Sequence, residues 1–141
     1  MKVTKTQLLK ELNKDLEWEY AAAIQYVQHA SVMTGPQYES IIKELIIHSN
    51  EEMQHAVSLS DQINFLGGVP TVDVEKRAVA KKALEMLKQD LAGEEKAISR
   101  YKTRIEQAES LKEYGLRRSL EDILIMEEEH KRDLLTVIEE S

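Results

Sequence analysis

The chain has no cysteine, which excludes disulfides, thiolate-zinc sites, rubredoxin-type iron centres and cysteine nucleophiles. The same absence fits a reducing compartment, and a cytoplasmic location is expected. One Phe, one Trp, five Tyr, two Pro and five Gly are few for 141 residues, and the abundance of Leu, Glu, Lys and Ala points to an all-helical protein. No apolar run approaches the ~20 residues of a membrane span, and Met1 to Lys10 lacks the apolar centre of a signal peptide. A cationic excess is missing too. The net charge is −7 with both signs interspersed, which disfavours wrapping nucleic acid and suits attraction of cations. Lys81-Lys82 and Arg117-Arg118 read most simply as solvated faces.

What the chain does have is an internal repeat at an offset of 75. Glu19, Glu52 and His55 are matched by Glu94, Glu127 and His130, so each half reads as a lone Glu, a gap of 33, then Glu-x-x-His. Leu12/Leu87, Asp15/Asp90, Leu16/Leu91, Ala22/Ala97, Tyr26/Tyr101, Leu45/Leu120, Leu59/Leu134 and Ile63/Ile138 keep the same offset. Two copies of one helix pair, each giving two carboxylates and an imidazole, would build a site for two metal ions.

The helical period gives four long segments in a single domain, 1–141. Thr4 and Gln7 have capping-box spacing, so the first helix is expected over 5–33. Gly35-Pro36 ends it, a second runs over 37–66, and Gly67-Gly68 with Pro70 stops that one. By the repeat a third should start near Ala80 and reach Glu109, and Tyr114-Gly115 turns into a fourth that runs nearly to Ser141. A connector over 67–79 can stretch ~43–47 Å, the length of a 30-residue helix. Short, long, short connections describe a four-helix bundle with one crossover, the ferritin-like arrangement.

The repeated polar residues fall on apolar stripes. Glu19 lies in line with Leu9, Leu12, Leu16, Ala23, Tyr26 and Ala30; Glu94 with Leu84, Leu87, Leu91, Ile98 and Tyr101. Glu52 and His55 share a face with Ile41, Leu45, His48 and Leu59, and Glu127 and His130 with Leu120, Ile123 and Leu134. Residues at i and i+3 point the same way from a helix, which is why Glu-x-x-His can hold one ion. Four carboxylates cannot all be buried and ionised alone, because desolvation costs several kcal/mol each. Two divalent cations would neutralise them. Hard oxygen donors with one nitrogen per ion suit iron or manganese, with iron favoured. The plainer alternative is a bundle whose polar core residues merely pair with each other.

These residues resemble the bacterioferritin branch of the ferritin-like superfamily over nearly the whole chain. The resemblance is carried by Leu12-Asn13-Lys14-Asp15-Leu16-Glu17-Trp18-Glu19, Ile24-Gln25-Tyr26, Glu52-Met53-Gln54-His55-Ala56, Phe65-Leu66-Gly67-Gly68-Val69-Pro70, Asp90-Leu91-Ala92-Gly93-Glu94 and Glu127-Glu128-Glu129-His130. It implies Glu19 and Glu94 as terminal ligands, Glu52 and Glu127 as bridging ligands, and His55 and His130 as one nitrogen ligand each. The second His sets the chain apart from animal-type ferritins. Rubrerythrins carry a cysteine iron domain and an extra Glu where Ala97 stands. The resemblance also implies haem held by Met53 across a dimer axis; the plainer reading of Met53 is interface packing. The chain ends eleven residues after His130, short of the fifth helix usual in bacterioferritins, so a dimer or 12-subunit shell is expected rather than 24 subunits. Ile47 and His48 replace residues the family uses near its inner iron site.

The expectation is a ferroxidase that oxidises Fe(II) with O2 or H2O2 at two irons per chain, for storage or detoxification. The alternative is a non-storing dimeric di-iron or di-manganese enzyme, a peroxide reductase or oxidase; a bundle without redox metal is a third reading. Tyr26, two turns beyond Glu19, is an electron donor, a hydrogen-bond donor to a ligand or a core aromatic with a satisfied hydroxyl, and Tyr101 reads as the last of these. His48 is a hydrogen-bonded core residue, a gate or a further nitrogen ligand. His29 is structural or exposed, and Trp18 packs between helices or subunits.

Overall fold

The computed structural model describes residues 2–140. Four helices follow in order: α1 (Lys5–Val32), α2 (Glu39–Phe65), α3 (Ala83–Ser110) and α4 (Tyr114–Glu140), with a 3-10 turn at Pro36–Tyr38. No strand occurs among the described residues, and none of their helices is long and apolar enough to cross a membrane. The chain is an all-α bundle with one long crossover, as the pattern of breaks predicted.

Local chemistry explains the boundaries. Thr4 Oγ1 accepts from the Gln7 amide at 3.1 Å while Gln7 Oε1 accepts from the Thr4 amide at 2.9 Å, the reciprocal capping box that starts α1. At the end of α2, Gly67 takes φ +91°, and the amides of Gly67 and Gly68 bond back to Asn64 and Ile63, closing the helix with a left-handed residue that costs glycine little. α3 starts at Ala83, three residues later than expected. The repeat puts Val79 where α1 has its Thr4 cap, and a valine side chain cannot satisfy the first amides. No side chain caps the α3 start.

The crossover therefore spans 66–82 and runs the length of α1. Asn13 bonds both the Val69 carbonyl (3.0 Å) and the Thr71 amide (2.8 Å), Thr71 donates to Glu17, and Glu75 pairs with Lys14. Further along, Gln25 donates to the Ala78 carbonyl and accepts from Arg77. A segment with no periodicity of its own is thus pinned by polar side chains of α1.

The core divides into two apolar ends. Leu8, Leu12, Leu16, Leu59, Ile63, Leu116 and Leu120 fill one; Met33, Tyr38, Ile41, Leu45, Met86, Leu87 and Leu134 fill the other. Leu8 rather than Leu9 takes the fully buried position on α1. Each such leucine contributes roughly 1.5–3 kcal/mol on burial, which lets the bundle carry a polar layer at mid-height. α1 and α3 approach more closely than α2 and α4, and the small residues Ala22 and Ala97 line the cavity between them.

Candidate metal centre

The six repeated residues all reach that middle layer. α1 contributes Glu19, α2 Glu52 and His55, α3 Glu94, α4 Glu127 and His130, and every one is buried. They form two overlapping sets. Donor atoms of Glu19, Glu52, His55 and Glu127 lie within 4.8 Å of one another, and so do those of Glu52, Glu94, Glu127 and His130. Glu52 and Glu127 belong to both. A cavity of about 20 Å³ opens among Glu19, Glu52, Glu94, Glu127 and Tyr26, enough for about one water-sized centre.

Distances within the layer are those of charge pairing more than of hydrogen bonding. His55 Nδ1 stands 3.5 Å from Glu19, 3.4 Å from Glu127 and 4.0 Å from Glu52. His130 Nδ1 stands 3.1 Å from Glu94 and 2.8 Å from Glu52, the latter out of line for a hydrogen bond. Glu19 Oε2, Glu52 Oε1, Glu127 Oε1 and His55 Nδ1 are buried without any hydrogen-bond partner. Orphaned buried polar atoms cost about 1–3 kcal/mol each, so a native cluster of them calls for something to coordinate. Four carboxylate and two imidazole donors fit two divalent cations of the iron or manganese type.

Proton affinities without metal report the same crowding. Burial, with the charges of Glu127, Glu19 and Glu94, pushes Glu52 well above the carboxylate range. Burial and the charges of Glu94 and Glu19 raise Glu127 to about 8. For His130, burial favours the neutral ring, but the close Glu127 carboxylate and the hydrogen bond and charge of Glu94 prevail and raise it to about 11. Glu19 moves the other way: burial raises it, and the close approach of Glu52 and His55 with the Tyr101 hydrogen bond more than compensates. The cluster holds protons where a metal would sit.

A symmetric frame holds the carboxylates. Tyr26 on α1 donates to Glu94 on α3 at 2.5 Å, and Tyr101 on α3 donates to Glu19 on α1 at 2.5 Å. Tyr101, read from sequence as a plain core aromatic with a satisfied hydroxyl, thus does the same work as Tyr26. Burial and the neighbouring carboxylate charges keep both phenols protonated, as donors. One layer further out, Arg104 grips Asp15 through two bonds of 2.7 and 3.1 Å, and His29 Nδ1 meets Asp90 at 2.9 Å. His29 is fully buried. These four residues also obey the offset of 75, but His29 and Arg104 differ in type, so matching identities across the repeat does not find them.

Outside the frame the two halves diverge. Glu51 stands 3.1 Å behind His130 Nε2, while its repeat counterpart is Met126 and leaves His55 facing a pocket of about 420 Å³ lined by Glu51, Ser58, Ser119, Asp122 and Met126. Nothing periodic marks Glu51; only its place just before a core Glu could have pointed to it. His48 is a hydrogen-bonded core residue, 3.2 Å from Asp133 and stacked on His130 with ring centroids 4.0 Å apart. It also lies in a third donor group with Glu44 and Asp133. Met53 does not join the centre. It is 46% exposed on α2, so any haem it holds lies outside the bundle. Trp18 packs against the guanidinium groups of Arg77 and Arg100, 5.7 and 5.4 Å from its ring centroid.

Residues 9–141 match the profile of the ferritin-like domain family. A bacterioferritin from Streptomyces coelicolor is 30% identical over 125 residues, covering 88% of this chain and 75% of that one. A nutrient stress-induced DNA-binding protein from Nostoc sp. is 30% identical over 119 residues, covering 77% of this chain; the match spans 65% of that relative's length. Among solved structures, ferritin-like, diiron-carboxylate protein from Bacillus anthracis superposes with a TM-score of 0.92 at 31% identity, covering 98% of this chain and 99% of the other. The fold, the repeated Glu and Glu-x-x-His pattern and these matches together place the chain in the ferritin-like family, as a bacterioferritin-like member.

Proposed function

We propose that the protein is a ferroxidase that oxidises Fe(II) with O2 or H2O2 at a dinuclear carboxylate centre inside each chain. The observation that carries this is the pair of four-residue donor sets sharing Glu52 and Glu127, with buried donor atoms that have no other partner. In this reading Glu19 with His55 and Glu94 with His130 hold one Fe(II) each, and Glu52 and Glu127 hold both. Each Fe(II) gives up one electron; O2 takes the pair with two protons and leaves as H2O2, or H2O2 takes the pair and leaves as two hydroxides. Tyr26 and Tyr101 fix the orientation of Glu94 and Glu19 through their hydroxyl donors. His130 and the carboxylates give up protons as the cations bind, so loading releases acid. The acidic pocket beside His55, with Glu51 and Asp122, offers Fe(II) an approach of favourable sign. The product iron is stored or detoxified in a cytoplasmic oligomer, a dimer or a 12-subunit shell.

A second reading is a fixed di-iron or di-manganese redox enzyme. It is favoured by the Bacillus anthracis structure, described as diiron-carboxylate, whose length the present chain matches almost fully.

Anaerobic Fe(II) loading of metal-free protein followed by oxidant separates the two. Tens of soluble irons retained per chain support storage, and a plateau at roughly two supports the fixed centre. Glu52→Ala and Glu127→Ala should abolish rapid Fe(II) oxidation while keeping the helical content. Unchanged rates in both variants would overturn the dinuclear reading.

A further inference from the structure

On the side opposite the acidic pocket, the outer surface between α1 and α3 has the reverse sign. A pocket of about 250 Å³ there is lined by Lys76, Arg77, Lys96 and Arg100 around Trp18, with Gln25 and Gln89 beside them and no carboxylate in its lining among the described residues. The chain as a whole carries −7, so four cations converging without an acidic side chain between them run against its composition.

The repeat shows how the pocket arises. Across the offset of 75, Trp18 faces Gly93, Ala21 faces Lys96 and Gln25 faces Arg100. The second half has gained two charges and lost a ring at these positions, whereas the buried residues beneath have kept their identities. Gly93 matters sterically: a Cβ there would come within 2.8 Å of the Arg77 guanidinium. Its absence lets Arg77 lie down against α3 from the crossover.

Most of this charge is unspent. Arg77 is bonded only to neutral acceptors, the Gln25 amide oxygen and the Gln89 carbonyl, and no ion pair of Lys76, Arg77 or Lys96 occurs among the described residues. Arg100 lies 3.4 Å from Asp15, but its Nε is buried without a hydrogen-bond partner. Asp15 is itself held by Arg104. Arg77 is partly buried and feels the charges of Asp90 and Glu94 without touching either carboxylate; such a guanidinium is costly unless an anion completes it, and planar guanidinium groups suit oxyanions.

We propose that this pocket binds a small oxyanion, of the phosphate or carboxylate class, at the outer mouth of the passage to the metal centre. Trp18, Gln25, Arg77, Gly93 and Arg100 also line the inner cavity that reaches Glu19, Glu52, Glu94 and Glu127. The collar thus stands between solvent and the carboxylates. Empty, it repels cations from this side; with an anion bound, it is neutralised and the crossover is pinned to α3.

Trp18 is the only tryptophan in the chain, and it forms a wall of the pocket, so its fluorescence reports occupancy directly. Inorganic phosphate titrated into full-length, metal-free protein at low ionic strength should give a saturable change in Trp18 emission that chloride at equal ionic strength does not. Lys76→Gln with Lys96→Gln, both exposed and outside the fold's ion pairs, should weaken binding about tenfold, and Arg77→Gln should remove it. No saturable change in the wild-type protein, an unchanged affinity in the double lysine variant, or a response to duplex DNA but not to phosphate would overturn the assignment. The readout needs no iron, so it stands or falls independently of the proposed oxidation chemistry.

Discussion

His130 turns its Nε2 outward onto Glu51, 3.1 Å away, while its Nδ1 faces the buried carboxylates. A carboxylate behind a ligating imidazole fixes the ring and strengthens it as a donor, and losing one typically costs 10–100-fold in metal affinity. Among the described residues no carboxylate backs His55 from its outer side, where Met126 occupies the place that corresponds to Glu51. Two ions in this centre should therefore bind with unequal affinity, the tighter at His130. Calorimetric titration of metal-free protein with Co(II) should resolve two steps. Glu51→Ala should lower the tighter one by about 10–100-fold and bring the steps together. An unaltered isotherm would mean that Glu51 is an incidental neighbour.

The paired phenols allow a discrimination that Tyr26 alone would not. Tyr26 and Tyr101 make equivalent bonds of 2.5 Å to Glu94 and Glu19. Hydrogen bonds to charged groups contribute about 1.5–3 kcal/mol. If their role is to orient ligands, Tyr26→Phe and Tyr101→Phe should slow Fe(II) oxidation by similar factors, about tenfold or more. Stopped-flow oxidation by both variants checks this. A large loss confined to Tyr26→Phe would point instead to electron donation by that one residue.

The Asp15–Arg104 pair is structural, and its removal should register in stability. Both side chains are buried, with Arg104 bound through two bonds. Asp15→Ala leaves the buried Arg104 guanidinium with only the longer carboxylate contact to half-exposed Glu11, 3.9 Å away, and should cost about 3 kcal/mol. The double variant Asp15→Ala with Arg104→Leu should recover much of that loss, since it removes both charges. Urea unfolding of the three proteins tests the cycle. A single-variant loss below about 1 kcal/mol would place the pair among weak surface bridges.

How far the sequence could be read depended on whether a feature repeats. Helical period, Gly and Pro breaks and the offset of 75 located four helices and the six residues that converge at mid-height, because burial imposes the same spacing on both halves. Where the halves diverge, legibility fell. His29 and Arg104 do equivalent work with unlike side chains, so identity hides them. The start of α3 slipped because Val79 replaces a capping threonine. Arg77 lies in an aperiodic crossover, and only its position over Gly93 in three dimensions shows what it does. Glu51 and His48 each have a counterpart of different character, Met126 and Ile123. The asymmetric chemistry of the centre is therefore concentrated where the repeat is broken.

Protons held in the metal-free cluster make its stability depend on pH. Burial raises Asp90 from 3.8 to about 6 against the pull of His29, Glu127 rises from 4.5 to about 8, and His130 rises from 6.5 to about 11. In each case the folded chain holds its proton more tightly than the unfolded chain does. The stability so gained is complete below the unfolded value and drains away as pH climbs toward the folded one. Asp90 and Glu127 lose theirs between about 4 and about 8, and His130 begins to lose its share above 6.5. Glu19, shifted down, opposes this only in the acid range. Metal-free protein should therefore melt at progressively lower temperature as pH rises from about 5 to about 8, by several degrees, since each tenfold difference in proton affinity is about 1.4 kcal/mol. Divalent metal needs Glu127 and His130 deprotonated, so its stabilisation grows with pH. Chelator-treated and Mn(II)-loaded protein, melted side by side across that range, should diverge as pH increases. Parallel curves would show that the buried carboxylates and His130 are not where the metal binds.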